Sequence, residues 1–234
     1  MSTEYMHGIF VTDIETVGHP DRVRFIPQPE AVTNENAPAS MKKHDTREKW
    51  AVRKNTDLQS KYDEAVARMG LDVDLCQIAT LAWKVQVAHS TLSAVSLGAD
   101  NEEEETEILV KFWHAWMQFG SRMCGFNIVS FDLPIIMRRS WALGVRFAPI
   151  RLRRYSTEYV IDLMQEFYGW GQYPGKKYRG LKTLADMYGI PVSKKDVDGS
   201  MVATMTNEER CEYCASDVDV TWELARRLHG SYWT

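Results

Sequence analysis

Two carboxylates stand at the end of the first apolar stretch of the chain, in Asp13-Ile14-Glu15. Residues two apart in a β-strand point to the same face, so both carboxylates would project together. Adjacent carboxylates repel each other and are costly unless a cation lies between them. A chain with 32 acidic residues among 234 contains about four such acidic-x-acidic pairs by chance. A polar surface pair is not expected at the end of an apolar strand, so Asp13 and Glu15 are candidate metal ligands.

A third acid, Asp132, comes two residues before Pro134. Proline is tolerated at the beginning of a helix, so the pattern predicts that a helix begins here. We expect the helix N-terminus to hold the Asp132 carboxylate in its ionised form. Taken alone, this segment is equally well interpreted as a helix cap.

A fourth acid, Asp217, follows Tyr213 by four residues in the last predicted helix, so the two share one helical face. An aspartate on an apolar face needs a partner. Asp219, two positions further on, would point away from that face, and we leave it out of the site.

Alternating strand and helix patterns must position these residues. Strands are predicted over 6–14, within a hairpin or meander over 75–97, and over 123–129, and residues 155–163 are either a short strand or the start of a helix. Helices are predicted over 45–69, 100–118, after Pro134, over 181–188, and from Thr206 to about His229. The order indicates an α/β protein with a mixed central sheet.

Local signals support several of these elements. Thr206 and Glu209 have the spacing of a capping box. The acidic run 102–105 suits the first turn of a helix, and we interpret it as a solvated helix start and not as a cation site. Residues 17–44 hold half of the prolines and are predicted to be irregular and exposed.

Composition excludes several classes of protein. The hydrophobic fraction is 44% and the charged fraction 26%, as in ordinary globular proteins. A net charge of -4 argues against binding to nucleic acid by bulk charge alone. No apolar run is long enough for a transmembrane helix, and the first residues show no signal-peptide pattern. We therefore expect no membrane association and a cytoplasmic protein, in a bacterium or a phage-infected host.

Cysteines give no support for a disulfide scaffold, since there are only four. Cys211 and Cys214 have the spacing of a zinc pair, but both lie in the middle of a predicted helix, and Cys76 and Cys124 do not form a second pair. We interpret all four as core thiols.

The three acidic segments together resemble the DEDD superfamily of 3′–5′ exonucleases. Asp13-Ile14-Glu15 matches the first motif (Asp-x-Glu), and the segment 127–132 matches the second (Asn-x-x-x-Phe-Asp). Tyr213 to Asp217 matches the third motif of the tyrosine subtype. The histidine subtype would have His at position 212, where this chain has Glu.

Longer segments are similar to predicted exonucleases related to the proofreading domain of family B DNA polymerases. They include Gly-Phe-Asn-Ile-Val-Ser-Phe-Asp-Leu-Pro, Val-Ile-Asp-Leu-Met, Leu-Lys-Thr-Leu-Ala-Asp-Met-Tyr-Gly-Ile-Pro, Asp-Gly-Ser and Tyr-Cys-Ala-Ser-Asp-Val. The resemblance covers residues 5–16 and about 72–230. It implies an α/β, ribonuclease H-like fold with a mixed five-stranded sheet flanked by helices. We expect one exonuclease domain over 1–234, with residues 17–71 as a charged, partly irregular insertion after the first strand.

The same resemblance implies a catalytic site. Asp13, Glu15, Asp132 and Asp217 would bind two divalent cations, Mg²⁺ or Mn²⁺, for which carboxylate oxygens are suitable ligands. Tyr213 would orient the attacking water, because a phenol with a pKa of about 10 is a poor base at neutral pH.

Further residues would contact the substrate. By resemblance, Asn127 and Phe131 would seat the 3′ end, although Phe131 could equally be a core residue, and Asp162 would have at most a supporting role. Residues 146–182 combine basic and aromatic side chains, which suits a single strand as well as it suits an ordinary surface.

The implied activity is removal of nucleoside 5′-monophosphates from the 3′ end of single-stranded DNA. The same four acids also serve enzymes that act on RNA, so a 3′–5′ exoribonuclease is an alternative. A non-catalytic single-strand-binding module is another alternative. A third is an accessory protein that docks onto a replication complex or polymerase through residues 17–71.

Overall fold

A computed structural model of the chain describes residues 8–87, 90–119, 122–147, 150, 152, 158–171, 178–193 and 199–228. The residues form two compact units. One unit comprises the residues up to Val17 together with those from Gln77 onward, and the other is Gly18–Cys76.

Most of the predicted elements are present. The strands are β1 (Gly8–Gly18), β2 (Cys76–Val87), β3 (Ser90–Thr91), β4 (Val95–Gly98), β5 (Arg122–Gly125) and β6 (Val160–Asp162). The α-helices are α1 (His44–Ala67), α2 (Glu102–Phe119), α3 (Asp132–Ala142), α4 (Leu163–Phe167), α5 (Leu181–Met187) and α6 (Asn207–Leu228). Short 3₁₀ helices cover Pro20–Phe25, Asn34–Asn36, Met69–Leu71, Gly169–Gly171 and Gly199–Thr204. The expected first and last residues of the outer elements, Met6 and His229, lie outside the described residues.

The strands form one mixed sheet in the order β3-β2-β1-β5-β6. β1 and β5 pair in parallel, as do β5 and β6, whereas β2 pairs antiparallel with both β3 and β4. Thr91 of β3 lies opposite Gln86, and Val95 of β4 lies opposite Trp83. β3 and β4 therefore occupy consecutive parts of one edge of β2, and the sheet has the five strand positions that were predicted.

Apolar side chains on the two faces of β1 pack against different elements. Phe10 meets Phe112 of α2, with ring centroids 5.5 Å apart. Ile9 and Val11, which alternate with Phe10, belong to the buried cluster that contains Val218 of α6. Because both faces of β1 are covered, the strand reads as a continuous apolar run in the sequence.

The unit Gly18–Cys76 is dominated by α1, whose residues are largely exposed, with Ala51 buried. The side-chain amide of Asn55 bonds both the N–H and the C=O of Val32, at 2.8 and 2.9 Å. This pair of bonds ties the irregular segment to the helix. The prediction of a surface helix after an irregular stretch is confirmed for this unit.

Two predicted elements differ from the structure. The strand expected over 123–129 ends at Gly125, where an added Cβ would lie 2.8 Å from the Cβ of Ile128. The chain therefore turns at this glycine, and the next residues form a loop before α3.

The acidic start of α2 is only partly solvated, which corrects the expectation. Glu105 is 1% exposed, and its carboxylate bonds the Arg139 guanidinium at 2.7 and 2.8 Å. The predicted capping box of α6 is present, with Thr206 and Glu209 bonded reciprocally at 2.8 and 3.3 Å. Among the described helices, none combines the length and apolar character needed to cross a membrane.

Candidate active site

Three of the predicted carboxylates meet at one place in the first unit. Asp13 and Glu15 project from β1, and Asp217 reaches them from α6. Each offers an oxygen, and the three oxygens lie within 4.8 Å of one another. The strand period puts Asp13 and Glu15 on one face, and the packing of α6 against β1 brings Asp217, 202 positions after Glu15 (217 − 15), to the same place.

Asp132 lies beside this cluster without belonging to the closest group of three. It is the first residue of α3 and is 3% exposed. Its Oδ1 accepts a hydrogen bond from the backbone N–H of Ile14, at 3.2 Å, between the two acids of β1. The residue before it, Phe131, occupies the N-cap position and makes no side-chain capping bond. Asp132 therefore faces β1 and is not the helix cap.

The helix N-terminus alone does not keep Asp132 fully ionised at neutral pH in the metal-free protein. Burial raises the pKa of Asp132 from 3.8 to about 7. Its own backbone N–H and that of Ile14 lower the pKa, and Asp162 adds a smaller increase. Desolvation of the carboxylate outweighs the favourable backbone dipoles here.

The pKa values of the other three acids are raised in the same way. Burial raises the pKa of Asp13 well above 3.8, and the charges of Asp132, Glu15 and Asp217 raise it further. Burial and the charges of Asp217 and Asp132 raise the pKa of Glu15 from 4.5 to about 8. The pKa of Asp217 is also raised, chiefly by burial. The cluster therefore holds more negative charge than the protein alone stabilises.

The donor set fits hard divalent cations. Oδ1 of Asp217 is buried and has no hydrogen-bond partner among the described residues. Carboxylate oxygens are the ligands that Mg²⁺ and Mn²⁺ prefer, and a cation would satisfy this oxygen and relieve the repulsion between the acids.

Tyr213 lies one turn before Asp217 and is 5% exposed. Its hydroxyl lies near enough to the Asp217 carboxylate for the charge of Asp217 to act on it. Burial, followed by the charges of Asp217 and Glu15, raises the pKa of Tyr213 above 10. The phenol therefore stays protonated at neutral pH and can orient a neighbouring oxygen, but it cannot act as a base.

Lys182 is a member of the site that the sequence did not single out. Its Nζ lies 3.3 Å from the Tyr213 hydroxyl oxygen and 4.4 Å from the ring centroid. Its charge lowers the pKa of both Glu15 and Asp217. The sequence placed it only among the basic residues of 146–182. A usable signal was its place in the first turn of α5, where a cation is disfavoured unless carboxylates lie nearby.

Cys214 is the second residue whose contact with the site was missed. Its Sγ lies 3.4 Å from the backbone oxygen of Asp13 and 3.6 Å from its Oδ2. The thiol is fully buried and belongs to the core cluster, as interpreted from the sequence. Cys211 is bonded instead to Asn207, at 3.5 Å. The two thiols thus have separate partners.

The remaining predicted residues fall into three places. Asn127 and Phe131 lie in the loop between β5 and α3, and Asn127 adopts a positive φ of 64°. Asp162 ends β6 and is fully buried. Asp219 pairs with Lys84 at 2.7 Å, away from the carboxylate cluster, as predicted.

The basic and aromatic segment 146–182 is described only in part. Tyr168 and Tyr178 pack edge to face, with ring centroids 5.0 Å apart. The backbone N–H of Arg179 donates to the Tyr168 hydroxyl at 2.8 Å. Several other basic and aromatic residues of the segment lie outside the described residues, namely Arg151, Arg153, Arg154, Tyr155, Tyr173, Lys176 and Lys177.

Comparison with family models identifies residues 70–229 with the family described as "Predicted 3′–5′ exonuclease related to the exonuclease domain of PolB". The matched range contains Asp132, Tyr213 and Asp217, whereas Asp13 and Glu15 precede it. A comparison with curated proteins found no match.

Among solved structures, the chain is similar to the family B DNA polymerase from the hyperthermophilic archaeon Pyrobaculum calidifontis. The TM-score is 0.58 at 17% sequence identity, over 94% of this chain and 24% of the polymerase chain. At a sequence identity this low, the similarity between the two structures is evidence for the fold alone. The expected α/β, ribonuclease H-like fold with a mixed sheet is confirmed, and this chain spans about a quarter of the length of that polymerase.

Proposed function

Because the chain belongs to the family of predicted 3′–5′ exonucleases related to the exonuclease domain of PolB, we propose that it shortens single-stranded DNA from the 3′ end. The reaction would use two divalent cations, Mg²⁺ or Mn²⁺, and would release nucleoside 5′-monophosphates. The preference for DNA follows from the relation of the family to a DNA polymerase domain. We also propose that residues 17–71 are an insertion in this exonuclease domain.

The observation that carries this proposal is the meeting of Asp13, Glu15 and Asp217, with Asp132 beside them. These four carboxylates would hold the cations. When bound, the cations would lower the pKa of the attacking water and neutralise negative charge on the phosphate. Four ionised carboxylates carry a charge of about -4, which two divalent cations balance, so the acidic net charge of the chain is no obstacle to nucleic-acid binding.

The remaining side chains of the site would orient the water and the substrate and would reduce the repulsion between the carboxylates. The Tyr213 hydroxyl, which stays protonated, would aim the attacking water by hydrogen bonding. Lys182 would hold Tyr213 in place and reduce the mutual repulsion of Glu15 and Asp217. Asn127 and Phe131 would contact the terminal nucleotide from the loop before Asp132.

The direct test is degradation of 5′-labelled single-stranded DNA and RNA by purified protein with Mg²⁺ or Mn²⁺ and with EDTA. We expect a ladder that shortens from the 3′ end of DNA and disappears with EDTA. Asp217→Ala should abolish it, whereas Asp219→Ala, two residues away on the same helix but paired with Lys84, should retain it.

The outcomes separate the alternatives. Shortening of RNA alone would overturn the preference for DNA and indicate an exoribonuclease. Tight binding of strands under Mn²⁺ without any shortening would contradict catalysis and indicate a non-catalytic binding module.

A further inference from the structure

The loop between β5 and α3 carries Asn127 and Phe131, the two residues proposed to contact the terminal nucleotide. It leads into Asp132, the first residue of α3. Asn127 has a φ of 64°, in the left-handed region that non-glycine residues seldom adopt. Such a conformation persists only where the surroundings determine it, and it concentrates at functional sites.

One buried carboxylate holds this loop. Asp162 is the last residue of β6, lies opposite Gly125 in the sheet and is fully buried. Its Oδ1 accepts the backbone N–H of Asn127 at 3.2 Å, and its Oδ2 accepts that of Val129 at 3.0 Å. These two bonds therefore hold the loop at Asn127, the residue with the positive φ, and at Val129.

The same carboxylate also caps a helix. Oδ1 of Asp162 accepts the N–H of Gln165 at 3.1 Å, in the first turn of α4. Capping alone needs a single acceptor, which serine, threonine or asparagine supplies equally well. Two bonds to the loop and one to the helix use both oxygens, and only a carboxylate offers two acceptor oxygens at this length of side chain.

Backbone hydrogen bonds connect Asn127 to the start of the helix that carries Asp132. The carbonyl of Asn127 accepts the N–H of Phe131 at 3.1 Å, and the carbonyl of Ile128 accepts the N–H of Leu133 at 3.0 Å. These bonds connect the loop to the first residues of α3. Displacement of Asn127 would therefore also move the start of the helix that carries Asp132.

We propose that Asp162 is a positioning residue of the active site, whose buried carboxylate holds the loop so that Asn127 faces the terminal nucleotide. Asp162 touches neither the substrate nor the carboxylate cluster in this role and acts through the backbone of Asn127 and Val129. The proposal rests on the proposed exonuclease function for its kinetic consequence, but the loop contact itself is tested separately.

The kinetic test compares Asp162→Asn with Ser140→Ala. Asparagine keeps the size of the side chain and removes one acceptor oxygen. Ser140→Ala removes another fully buried hydrogen bond, from Trp113 at 2.8 Å, without touching the loop. We expect the KM for a 5′-labelled strand to rise about tenfold in Asp162→Asn and to stay at the parent value in Ser140→Ala.

KM distinguishes positioning from simple loss of folded protein, because KM does not depend on the concentration of active enzyme. Asn127→Ala should raise KM by a similar factor, and the double variant should be no worse than the more impaired single variant. An unchanged KM in Asp162→Asn, or effects of the two changes that multiply, would overturn the proposal.

Amide hydrogen exchange tests the contact without any activity. We expect the amides of Asn127 and Val129 to exchange about tenfold faster or more in Asp162→Asn. The amide of Met123, which bonds the carbonyl of Tyr159 in the sheet, should be unchanged. Unchanged exchange at Asn127 and Val129 would show that Asp162 does not hold the loop, whether or not the chain degrades DNA.

A second variant covers the case in which Asp162→Asn does not fold. Asp162→Ser retains an acceptor for the N–H of Gln165 and removes the bonds to the loop. It should show the same fast exchange and the same rise in KM. If the parent protein degrades no strand, the proposed function is wrong, and the exchange result alone decides whether Asp162 positions the loop.

Discussion

Lys182 and Tyr213 lie against each other, with the ammonium nitrogen 3.3 Å from the phenol oxygen and 4.4 Å from the centre of the ring. Lys182 is in the first turn of α5, where the helix dipole disfavours a positive charge. The carboxylates of Glu15 and Asp217 offset this cost, and the lysine lowers the pKa of both. The pair thus connects the orientation of the phenol to the charge of the carboxylate cluster.

Replacement of Lys182 by Met should impair turnover. Loss of a hydrogen bond that involves a charged group is worth about 1.5–3 kcal/mol, so kcat should fall roughly tenfold or more. Since Lys182 lowers the carboxyl pKa values, its loss should also move the acidic limb of the pH–rate profile to higher pH. Lys84→Met is the matched control, because Lys84 likewise pairs with an aspartate and lies over an aromatic ring. An unchanged profile would show that Lys182 does not act on the carboxylates.

Replacement of Tyr213 by Phe should leave weak activity. Asp13, Glu15 and Asp217 remain to hold the cations, so kcat should fall by about 10- to 100-fold, as for the loss of one orienting hydrogen bond. Because the pKa of Tyr213 is raised above 10, the pH–rate profile should keep its shape. Full activity would show that the hydroxyl orients nothing, and loss of a limb of the profile would show that it transfers a proton.

The metal-free protein should become less stable as the pH rises. The folded-state pKa is about 7 for Asp132 and about 8 for Glu15, against ordinary values of 3.8 and 4.5. The folded form therefore binds protons more tightly than the unfolded chain, and the stability present at pH 4 declines between about pH 4 and pH 8. Thermal unfolding in EDTA across this range measures it.

Addition of Mg²⁺ or Mn²⁺ should reverse this loss, with the largest rise in Tm at the highest pH, because the cations bind the ionised carboxylates. A Tm in EDTA that rises from pH 5 to pH 8 would contradict the assigned direction of the pKa shifts.

Replacement of Asp13 by Ala should abolish turnover without lowering the stability of the metal-free protein. Removal of one acid relieves its repulsion of Glu15, Asp132 and Asp217, which offsets the packing lost. In EDTA at pH 8 the variant should melt at or above the Tm of the parent. The stabilisation by Mg²⁺ should be lost in the variant. A variant that melts well below the parent in EDTA would show that the acids do not repel each other in the folded chain.

Much of the site could be predicted because its chemistry is encoded locally. Asp13 and Glu15 share a face through the period of a strand, and Tyr213 and Asp217 share a face through the period of a helix. These short-range patterns need no knowledge of the fold. The resemblance of the three segments to one superfamily then indicated that they meet in space.

Contacts between distant segments could not be predicted in the same way. Cys214 touches Asp13, 201 residues earlier, and Lys182 touches Tyr213, 31 residues later. Cys214 lies in no unusual local pattern, and the place of Lys182 in the first turn of a helix does not say which carboxylates lie near it, so each was interpreted as part of the core or of a basic surface. The raised pKa of Asp132 could not be predicted for a related reason, since burial depends on the packing of the whole domain and not on the helix terminus alone.

The pair formed by Glu105 and Arg139 is a further contact of this kind, and it supports the helix that carries Asp132. Both side chains are 1% exposed, and two hydrogen bonds of 2.7 and 2.8 Å connect them. Glu105 also accepts the backbone N–H of Ile78 at 2.9 Å. The pair therefore joins α2, α3 and β2.

Replacement of Glu105 by Gln should lower the free energy of unfolding by about 1–3 kcal/mol, because the guanidinium of Arg139 loses its buried counter-charge and keeps only the half-exposed carboxylate of Glu102, at 3.0 Å. Glu103→Gln, at an exposed position in the same helical turn, should change the stability by less than about 0.5 kcal/mol. Urea unfolding of both variants measures the difference. Well below the unfolding transition, Glu105→Gln should keep the Mg²⁺ dependence of the parent. Equal stabilities of the two variants would show that the buried pair contributes nothing beyond a surface charge.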